Sequence, residues 1–273
     1  MNKTFQKVFA KAKSENRSCF VAFVTGMDPD YESSKQILIE LSKNCDVIEV
    51  GVSFNTSTSD SSIIMSANDR AIRSGAKTKK IFQLIKEVKN EISSDTAFVT
   101  MGYLNQIHVY GIEKYVNDCK KSGVDGCIVV DSNNEAPEDD KIFKGLTNNN
   151  MAFIKLIAPT NDSNYIKQSL KKSLSWLYIV SYAGVTGSKK VNINNVKKLT
   201  KLIRKQSKIP IGVGFGIKNY NDVKNVSKLA DLVVCGSSIV EKIKEGNKKG
   251  LTNQNLAQFV GKYVKRLSEG VKH

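Results

Sequence analysis

Three features of the sequence predict a closed (β/α)₈ barrel of the TIM-barrel class. Eight short runs rich in β-branched and aromatic residues recur along the 273 residues, segments with helical periodicity separate them, and glycine clusters follow the last two runs. Strands that alternate with helices build a parallel sheet from right-handed βαβ units, and eight of them in a chain of this length favour closure. An open doubly wound sheet is the alternative, which the lack of a Pro- or Gly-rich linker disfavours.

The predicted strands cover residues 19–25, 46–51, 97–101, 126–131, 153–158, 176–181, 209–213 and 232–236. Apolar residues recur with a helical period over 31–42, 78–92 and 196–206. The second and third strands are unusually far apart, so we expect an extra helix or a long loop after the second strand. The chain opens on an amphipathic segment with Phe5, Val8 and Phe9, which we expect to cover the bottom of the barrel. We expect residues 1–273 to form one domain.

The chain carries 42 Lys and Arg against 26 Asp and Glu, a net charge of +16. A basic surface for nucleic acid is one interpretation of that excess. Only five of the basic residues are Arg, however, and the Lys residues are spread along the predicted helices. Because specific phosphate and base contacts favour the planar Arg side chain, we expect no nucleic-acid partner.

The apolar runs and the cysteines indicate the cellular compartment in which we expect the protein to work. The longest purely apolar run covers residues 20–24, whereas a membrane span needs roughly 18 residues. Residues 1–18 lack the apolar core of a secretory signal. The five Cys show no C-x-x-C spacing, so we expect free thiols, no metal cluster and a cytoplasmic protein without a membrane partner. With only two His in the chain, acid–base chemistry is expected to rest on carboxylates.

Glu49 is a carboxylate within an otherwise apolar predicted strand, residues 46–51. Strand side chains alternate between two faces, so Ile48 and Val50 share one face and Glu49 lies on the other. The β-branched pair suits the helix-covered side, which directs Glu49 into the barrel mouth, where barrel active sites lie. An ion pair with a nearby Lys is the alternative. An unpaired carboxyl among aliphatic residues has a raised pKa, as a general acid–base group working near neutral pH requires.

Glycine clusters after the last two predicted strands indicate an anion site. Gly214 and Gly216 follow the seventh strand, and Gly236 and Ser237 follow the eighth and lead into a helix. Glycines let backbone N–H groups approach an anion, and the helix N-terminus adds a partial positive charge. The loops after strands seven and eight are the usual phosphate site of this fold, although plain tight turns would show the same glycines. A Gly-flanked stretch at 183–187 suits a lid.

These residues resemble those of one family, the alpha subunit of tryptophan synthase. The resemblance extends from residue 20 to the C-terminal helix. Its most specific segments are residues 48–52, Asp60, 101–105, 158–160, 181–187, 214–217, 236–237 and 239–240. Their order and spacing match this family rather than barrels in general.

The resemblance implies a carbon–carbon lyase of L-tryptophan biosynthesis. Its reaction is the reversible retro-aldol cleavage of indole-3-glycerol phosphate to indole and glyceraldehyde 3-phosphate. Glu49 matches the family's general acid–base residue, and Asp60 matches the carboxylate that binds the indole N–H. The other matches are to substrate-binding positions: Phe23 and Tyr178 near the indole, Thr186 in the lid, and Gly187, Gly216, Gly236 and Ser237 around the phosphate.

The resemblance also implies a partner. The family's alpha subunit works in an alpha–beta–beta–alpha heterotetramer and passes indole to the beta subunit. Pyridoxal phosphate belongs to that beta subunit, so no metal and no organic cofactor is implied for this chain.

The chain departs from the family pattern around Asp60. Residues 53–62 lack the prolines and the second acid that the family usually has there, and this loop contacts the beta subunit in the family. Other departures are residues 132–133 after the fourth strand, Tyr182 where Arg is common, and residues 26–27. Both matched carboxylates are retained.

Two alternative functions stay open from the sequence. A different phosphate-binding barrel enzyme, such as an epimerase, an isomerase or indole-glycerol-phosphate synthase, would share the fold, but the synthase needs a catalytic Lys and gives Glu49 no role. The altered 53–62 loop motivates the other alternative, a weakly active alpha-like module that acts mainly as an activator of the beta subunit.

Overall fold

The computed structural model describes residues 2–55, 60–93, 95–180, 193–214 and 216–273. Within these ranges, nine parallel strands form one sheet. They are β1 (Cys19–Thr25), β2 (Val47–Gly51), β3 (Ala97–Gly102), β4 (Gly126–Val129), β5 (Ala152–Ile154), β6 (Leu156–Ile157), β7 (Leu177–Val180), β8 (Ile211–Gly214) and β9 (Leu232–Cys235).

Helices follow the strands around the outside of the sheet. They are α1 (Lys3–Ser14), α2 (Tyr31–Ser42), α3 (Ser62–Arg73), α4 (Thr78–Glu91), α5 (Leu104–Tyr110), α6 (Ile112–Lys121), α7 (Pro137–Asn148), α8 (Ser163–Lys172), α9 (Ile193–Arg204), α10 (Tyr220–Ser227), α11 (Ser237–Lys248) and α12 (Asn253–Ser268), with a 3₁₀ turn at Glu269–Val271. Both α3 and α4 lie between β2 and β3, which accounts for the long interval in the sequence. No helix among the described residues is long and apolar enough to cross a membrane.

The sheet closes through its fifth strand. Hydrogen-bonded neighbours follow the order β5-β4-β3-β2-β1-β9-β8-β7-β6. The two terminal pieces, β5 and β6, are parts of one strand with Lys155 between them, and they pair with β4 and β7 respectively. This arrangement confirms the predicted eight-fold barrel. The prediction of one continuous strand over 153–158 was wrong, because the strand is interrupted at Lys155.

Lys155 is held by polar groups that the sequence pattern does not reveal. Its side chain is fully buried, and its Nζ lies 3.1 Å from each carboxylate oxygen of Asp139, on α7. Ser132, in the loop after β4, bonds to both groups, and Lys172 also pairs with Asp139. Burial lowers the pKa of the Lys155 ammonium, whereas the Asp139 charge opposes that shift. A buried charge requires such partners, and here they lie outside the strand ladder.

The apolar core has two layers separated by the barrel wall. The inner cluster includes Val47 and Val99, and the outer cluster, between barrel and helices, includes Ile48 and Val50. Three residues of α1 join the inner cluster, namely Phe5, Val8 and Ala12. The first helix therefore covers the amino end of the barrel, as the amphipathic pattern predicted.

Two aromatic rings inside the barrel fit against glycines of β8. The Trp176 and Tyr178 rings have centroids 5.3 Å apart. A Cβ atom on Gly212 would overlap the Trp176 ring, and one on Gly214 would overlap the Tyr178 ring. These glycines therefore provide the space for the aromatic layer beneath the barrel mouth.

We predict that Gly212→Ala lowers the free energy of unfolding by about 1–3 kcal/mol, because the added methyl overpacks the Trp176 ring. Trp176→Phe in the same chain should recover most of that loss, since the smaller ring leaves room for the methyl. Urea unfolding of the two single variants and the double variant measures the coupling. Strictly additive effects of the two substitutions would contradict the proposed contact.

Candidate active site

A cavity opens at the carboxyl ends of the strands. The residues that line it come from several strands and the loops after them: Phe23, Glu49, Asp60, Ile64, Met101, Tyr178, Gly216, Ile217, Lys218, Val234, Gly236 and Ser237. Seven of the nine predicted site residues are among them. The other two, Thr186 and Gly187, lie outside the described residues.

Glu49 is the buried acid of this cavity. Its side chain is fully buried, and neither carboxyl oxygen has a hydrogen-bond partner among the described residues. Val47 belongs to the inner core and Ile48 to the outer one, so the strand alternation turns Glu49 inward. Burial raises the pKa of the Glu49 carboxyl from 4.5 to about 8. The carboxyl is therefore mostly protonated at neutral pH and can donate a proton.

Tyr178 lies close enough to Glu49 for their charges to interact. The phenol is buried, and burial together with the Glu49 charge holds the pKa of Tyr178 well above its usual value. Tyr178 therefore stays neutral in this cavity, where it provides an aromatic surface and a polar edge.

Asp60 is positioned by the start of α3. The next residue, Ser61, is the N-cap, and its hydroxyl accepts a hydrogen bond from the Ile64 N–H at 3.3 Å. From the second turn of the helix, the Asn68 amide donates to Asp60 Oδ2 at 3.3 Å. Asn68 is buried, so its amide orients one oxygen of Asp60 at the cavity wall. Asn68 was not identified from the sequence, because the extra helix or long loop expected after the second strand was not assigned to particular residues.

The chain that leads towards Asp60 is anchored directly after β2. The Gln106 side chain donates to the carbonyl groups of Val52 and Ser53 at 3.3 and 2.9 Å. The Phe54 ring packs against Tyr103 with centroids 5.3 Å apart. These contacts hold residues 52–54 without the prolines that the family usually has in this loop. Residues 56–59 lie outside the described part of the chain.

Glycines and the start of a helix form another part of the cavity lining. Gly216 adopts a φ of 80°, a left-handed conformation that favours glycine. Gly236 is the N-cap of α11, a helix without a side-chain cap and without an acidic residue in its first turn. The positive end of the α11 dipole is therefore not neutralised by its own side chains, and it lies at the cavity.

Apolar residues form the remaining wall. Phe23 clusters with Ile64, Ala67 and Val240 at the barrel mouth. A Cβ atom on Gly51 would lie 2.8 Å from Cζ of Phe23, so glycine is needed there for the ring to occupy its place. Such a wall suits a flat aromatic ligand group.

Sequence reasoning missed several lining residues for different reasons. Met101 and Val234 lie near the ends of predicted strands, and the alternation of faces could have identified them. Ile64 lies on α3, whose bounds were not predicted, and Lys218 lies in a loop without a recognisable pattern.

A second, larger cleft of about 570 Å³ lies at the amino end of the barrel beside α1 and α12. Neither Glu49 nor Asp60 lines it. Among the described residues, no group of three His, Cys, Asp or Glu could hold a metal ion. The cavity at the carboxyl ends of the strands is therefore the better candidate for catalysis in a barrel of this class.

A closed (β/α)₈ barrel with its cavity at the carboxyl ends of the strands defines the class of barrel enzymes. Comparison with known proteins identifies the family within that class. A family model described as the tryptophan synthase alpha chain matches residues 9–269. The chain belongs to the tryptophan synthase alpha chain family.

Solved structures agree with this assignment. The alpha subunit of tryptophan synthase from Legionella pneumophila is 25% identical, with a TM-score of 0.88 and coverage of 99% of this chain and 98% of that one. A protein from Aquifex aeolicus VF5 is 27% identical, with a TM-score of 0.87 and full coverage of both chains (100% and 100%). Tryptophan synthase from Mycobacterium tuberculosis, at 23% identity, shares the fold with a TM-score of 0.88 over 100% of both chains.

The family assignment confirms the predicted function, the cleavage of indole-3-glycerol phosphate to indole and glyceraldehyde 3-phosphate in L-tryptophan biosynthesis. No finding favours either alternative function. The chain is thus assigned a lyase role in general terms.

We predict that Glu49→Gln stabilises the protein in a pH-dependent way. The native state keeps the Glu49 proton up to about pH 8, whereas an ordinary carboxyl in the unfolded chain loses it near 4.5. Between these values the native state binds more protons than the unfolded state, so wild-type stability falls as pH rises. The variant does not titrate there, and its advantage should grow to a few kcal/mol, on the order of 3–5, by pH 8.

Urea unfolding from about pH 5 to pH 9 measures this difference. Exposed Glu241, on α11, offers a matched control, because Glu241→Gln should show no comparable growth with pH. A Glu49→Gln advantage that is constant over the range would contradict the raised pKa.

Proposed function

We propose that Glu49 and Asp60 are the catalytic residues of a carbon–carbon lyase that cleaves indole-3-glycerol phosphate. The observation that supports this most strongly is the buried Glu49 carboxyl, which has no hydrogen-bond partner among the described residues and lies in the same cavity as Asp60 and the glycines of the proposed anion site. Each element of the reaction has a corresponding group in that cavity.

Glu49 handles the protons of the reaction. Protonated at neutral pH, it donates its proton to C3 of the indole, which leaves positive charge on the ring nitrogen. The bond between C3 and the side chain then breaks, and its electron pair restores the indole ring. The adjacent hydroxyl becomes the aldehyde carbonyl and returns its proton to the Glu49 carboxylate. One residue thus serves as acid and then as base, which a pKa of about 8 permits.

Asp60 stabilises the charge that develops on the ring. Its carboxylate accepts a hydrogen bond from the indole N–H, and that bond strengthens as the nitrogen becomes positive. The Asn68 amide holds Asp60 in place for this role. The two carboxyl groups lie in different surroundings and have different roles. Glu49 is buried and protonated, whereas Asp60 is partly exposed.

The substrate's two ends fit the two sides of the cavity. The indole packs against Phe23 and Tyr178, and the phosphate binds the backbone near Gly216, Gly236 and Ser237 at the start of α11. Thr186 and Gly187 complete the lid and the phosphate site in this proposal, on the strength of the family resemblance.

We further propose that the whole chain, residues 1–273, is one domain that works in an alpha–beta–beta–alpha heterotetramer with a tryptophan synthase beta subunit. The family membership supports this partnership. No cofactor is proposed for this chain, since pyridoxal phosphate belongs to the beta subunit. A cytoplasmic location is proposed from the five cysteines, which are all free and buried.

We predict that Glu49→Gln lowers kcat for indole release by about 10²–10⁴-fold, the usual effect of removing a positioned proton-transfer group. Asp60→Asn should lower kcat by a comparable factor, because the amide cannot supply the charge that stabilises the ring cation. A spectrophotometric assay of indole on purified protein measures both. Exposed Glu32, on α2, provides the control, and Glu32→Gln should keep wild-type turnover. Near-normal turnover of Glu49→Gln would remove Glu49 from the mechanism.

We also predict that the beta partnership depends on the anchored 52–54 segment. Gln106→Ala removes the bonds to Val52 and Ser53 and should weaken beta-subunit binding severalfold, with the helical content unchanged. Light scattering with a cognate beta subunit, alongside indole release with and without beta, measures the assembly. If the wild-type chain does not associate with beta, the proposed heterotetramer is wrong.

A further inference from the structure

The cavity contains more acids than bases. Among its lining residues, Glu49 and Asp60 are acidic, and Lys218 is the one cation within the described part of the chain. The negative charge of Asp60 repels a phosphate dianion that enters such a site. The backbone N–H groups attract the dianion with partial positive charges only. We propose that Lys218 binds the substrate's phosphate group and supplies the full positive charge that the glycine backbone lacks. This inference rests on the proposed substrate.

The backbone of Lys218 is fixed on both sides. Its N–H donates to Asp222 Oδ2 at 2.9 Å, at the start of α10. Its carbonyl accepts a hydrogen bond from the Tyr263 hydroxyl of α12, also at 2.9 Å. Gly216, with its positive φ, turns the chain two residues earlier. The loop after β8 is thereby held with residue 218 at the rim of the cavity.

The side chain of Lys218 is available for a ligand. It is exposed, and no ion pair formed within the described ranges involves it. The carboxylate of Asp222 accepts the backbone N–H of Lys218, and no ion pair found among the described residues joins it to the Lys218 ammonium. A Lys ammonium on its flexible stem suits a phosphate as a point charge that can follow the group into the site.

The placement of Lys218 is specific within a lysine-rich chain. It lines the same cavity as Gly216, Gly236 and Ser237, which form the proposed phosphate site. Lys224, on α10, is also exposed but does not line the cavity. The excess of Lys in the chain therefore does not by itself explain the position of Lys218 at the cavity. Lys224 provides a matched control.

Three variants test the inference: Lys218→Met, Lys218→Arg and Lys224→Met. Calorimetric titration with glycerol 3-phosphate probes the phosphate site directly, and indole-release kinetics give KM and kcat. Lys218→Met should raise both the Kd for glycerol 3-phosphate and the KM for indole-3-glycerol phosphate about three- to tenfold, with a much smaller change in kcat. Lys218→Arg should restore most of the binding. Lys224→Met should match wild type, and indole binding should be the same in all variants.

Unchanged glycerol 3-phosphate affinity in Lys218→Met would overturn the assignment. The titration requires no turnover, so it separates this inference from the proposed reaction. Wild type that binds glycerol 3-phosphate through Lys218 but releases no indole would overturn the reaction alone. Wild type that releases indole while Lys218→Met keeps full phosphate affinity would overturn the role of Lys218 alone. Absence of glycerol 3-phosphate binding in wild type would overturn the role of Lys218, and absence of indole release as well would overturn both.

Discussion

The proposed chemistry depends on the burial of one carboxyl group that has no hydrogen-bond partner in the part of the chain that the structure describes. Glu49 lies inside a strand whose other face is packed with aliphatic residues. Desolvation alone raises its pKa to about 8, since no neighbouring charge is needed to explain the shift. The barrel keeps an acid protonated at neutral pH by excluding water from it. That arrangement destabilises the folded protein at higher pH, and the rest of the core must offset it.

The packing around the cavity supports this arrangement. Trp176 and Tyr178 fill the interior beneath Glu49, and the glycines of β8 leave the space for both rings. Gly51 does the same for Phe23 at the mouth. These pairs of large and small residues fill the lumen of the barrel beneath the cavity. Tyr178 therefore belongs both to the inner core and to the cavity lining.

Short-range sequence patterns predicted those features that depend on residues close together in the chain. The alternation of strand faces placed Glu49 in the lumen, and glycines before a helix identified the loops at Gly216 and Gly236. The break at Lys155 was not predictable, because its partners come from α7 and the loop after β4. Gln106 was missed for the same reason, because its bonds to Val52 and Ser53 join segments that lie far apart in the sequence. Asn68 lies close to Asp60 in the sequence and was missed because the bounds of α3 were not predicted.

The proposed mechanism requires Glu49 to be protonated at neutral pH, and a direct titration tests this. Carbon-13 NMR of protein labelled at glutamate carboxyl carbons follows each side chain with pH, and the resonance missing in Glu49→Gln assigns the signal. We expect a midpoint near pH 8 for that resonance. A midpoint near 4.5, the ordinary value for glutamate, would show that the carboxyl is solvated or paired and would contradict the mechanism.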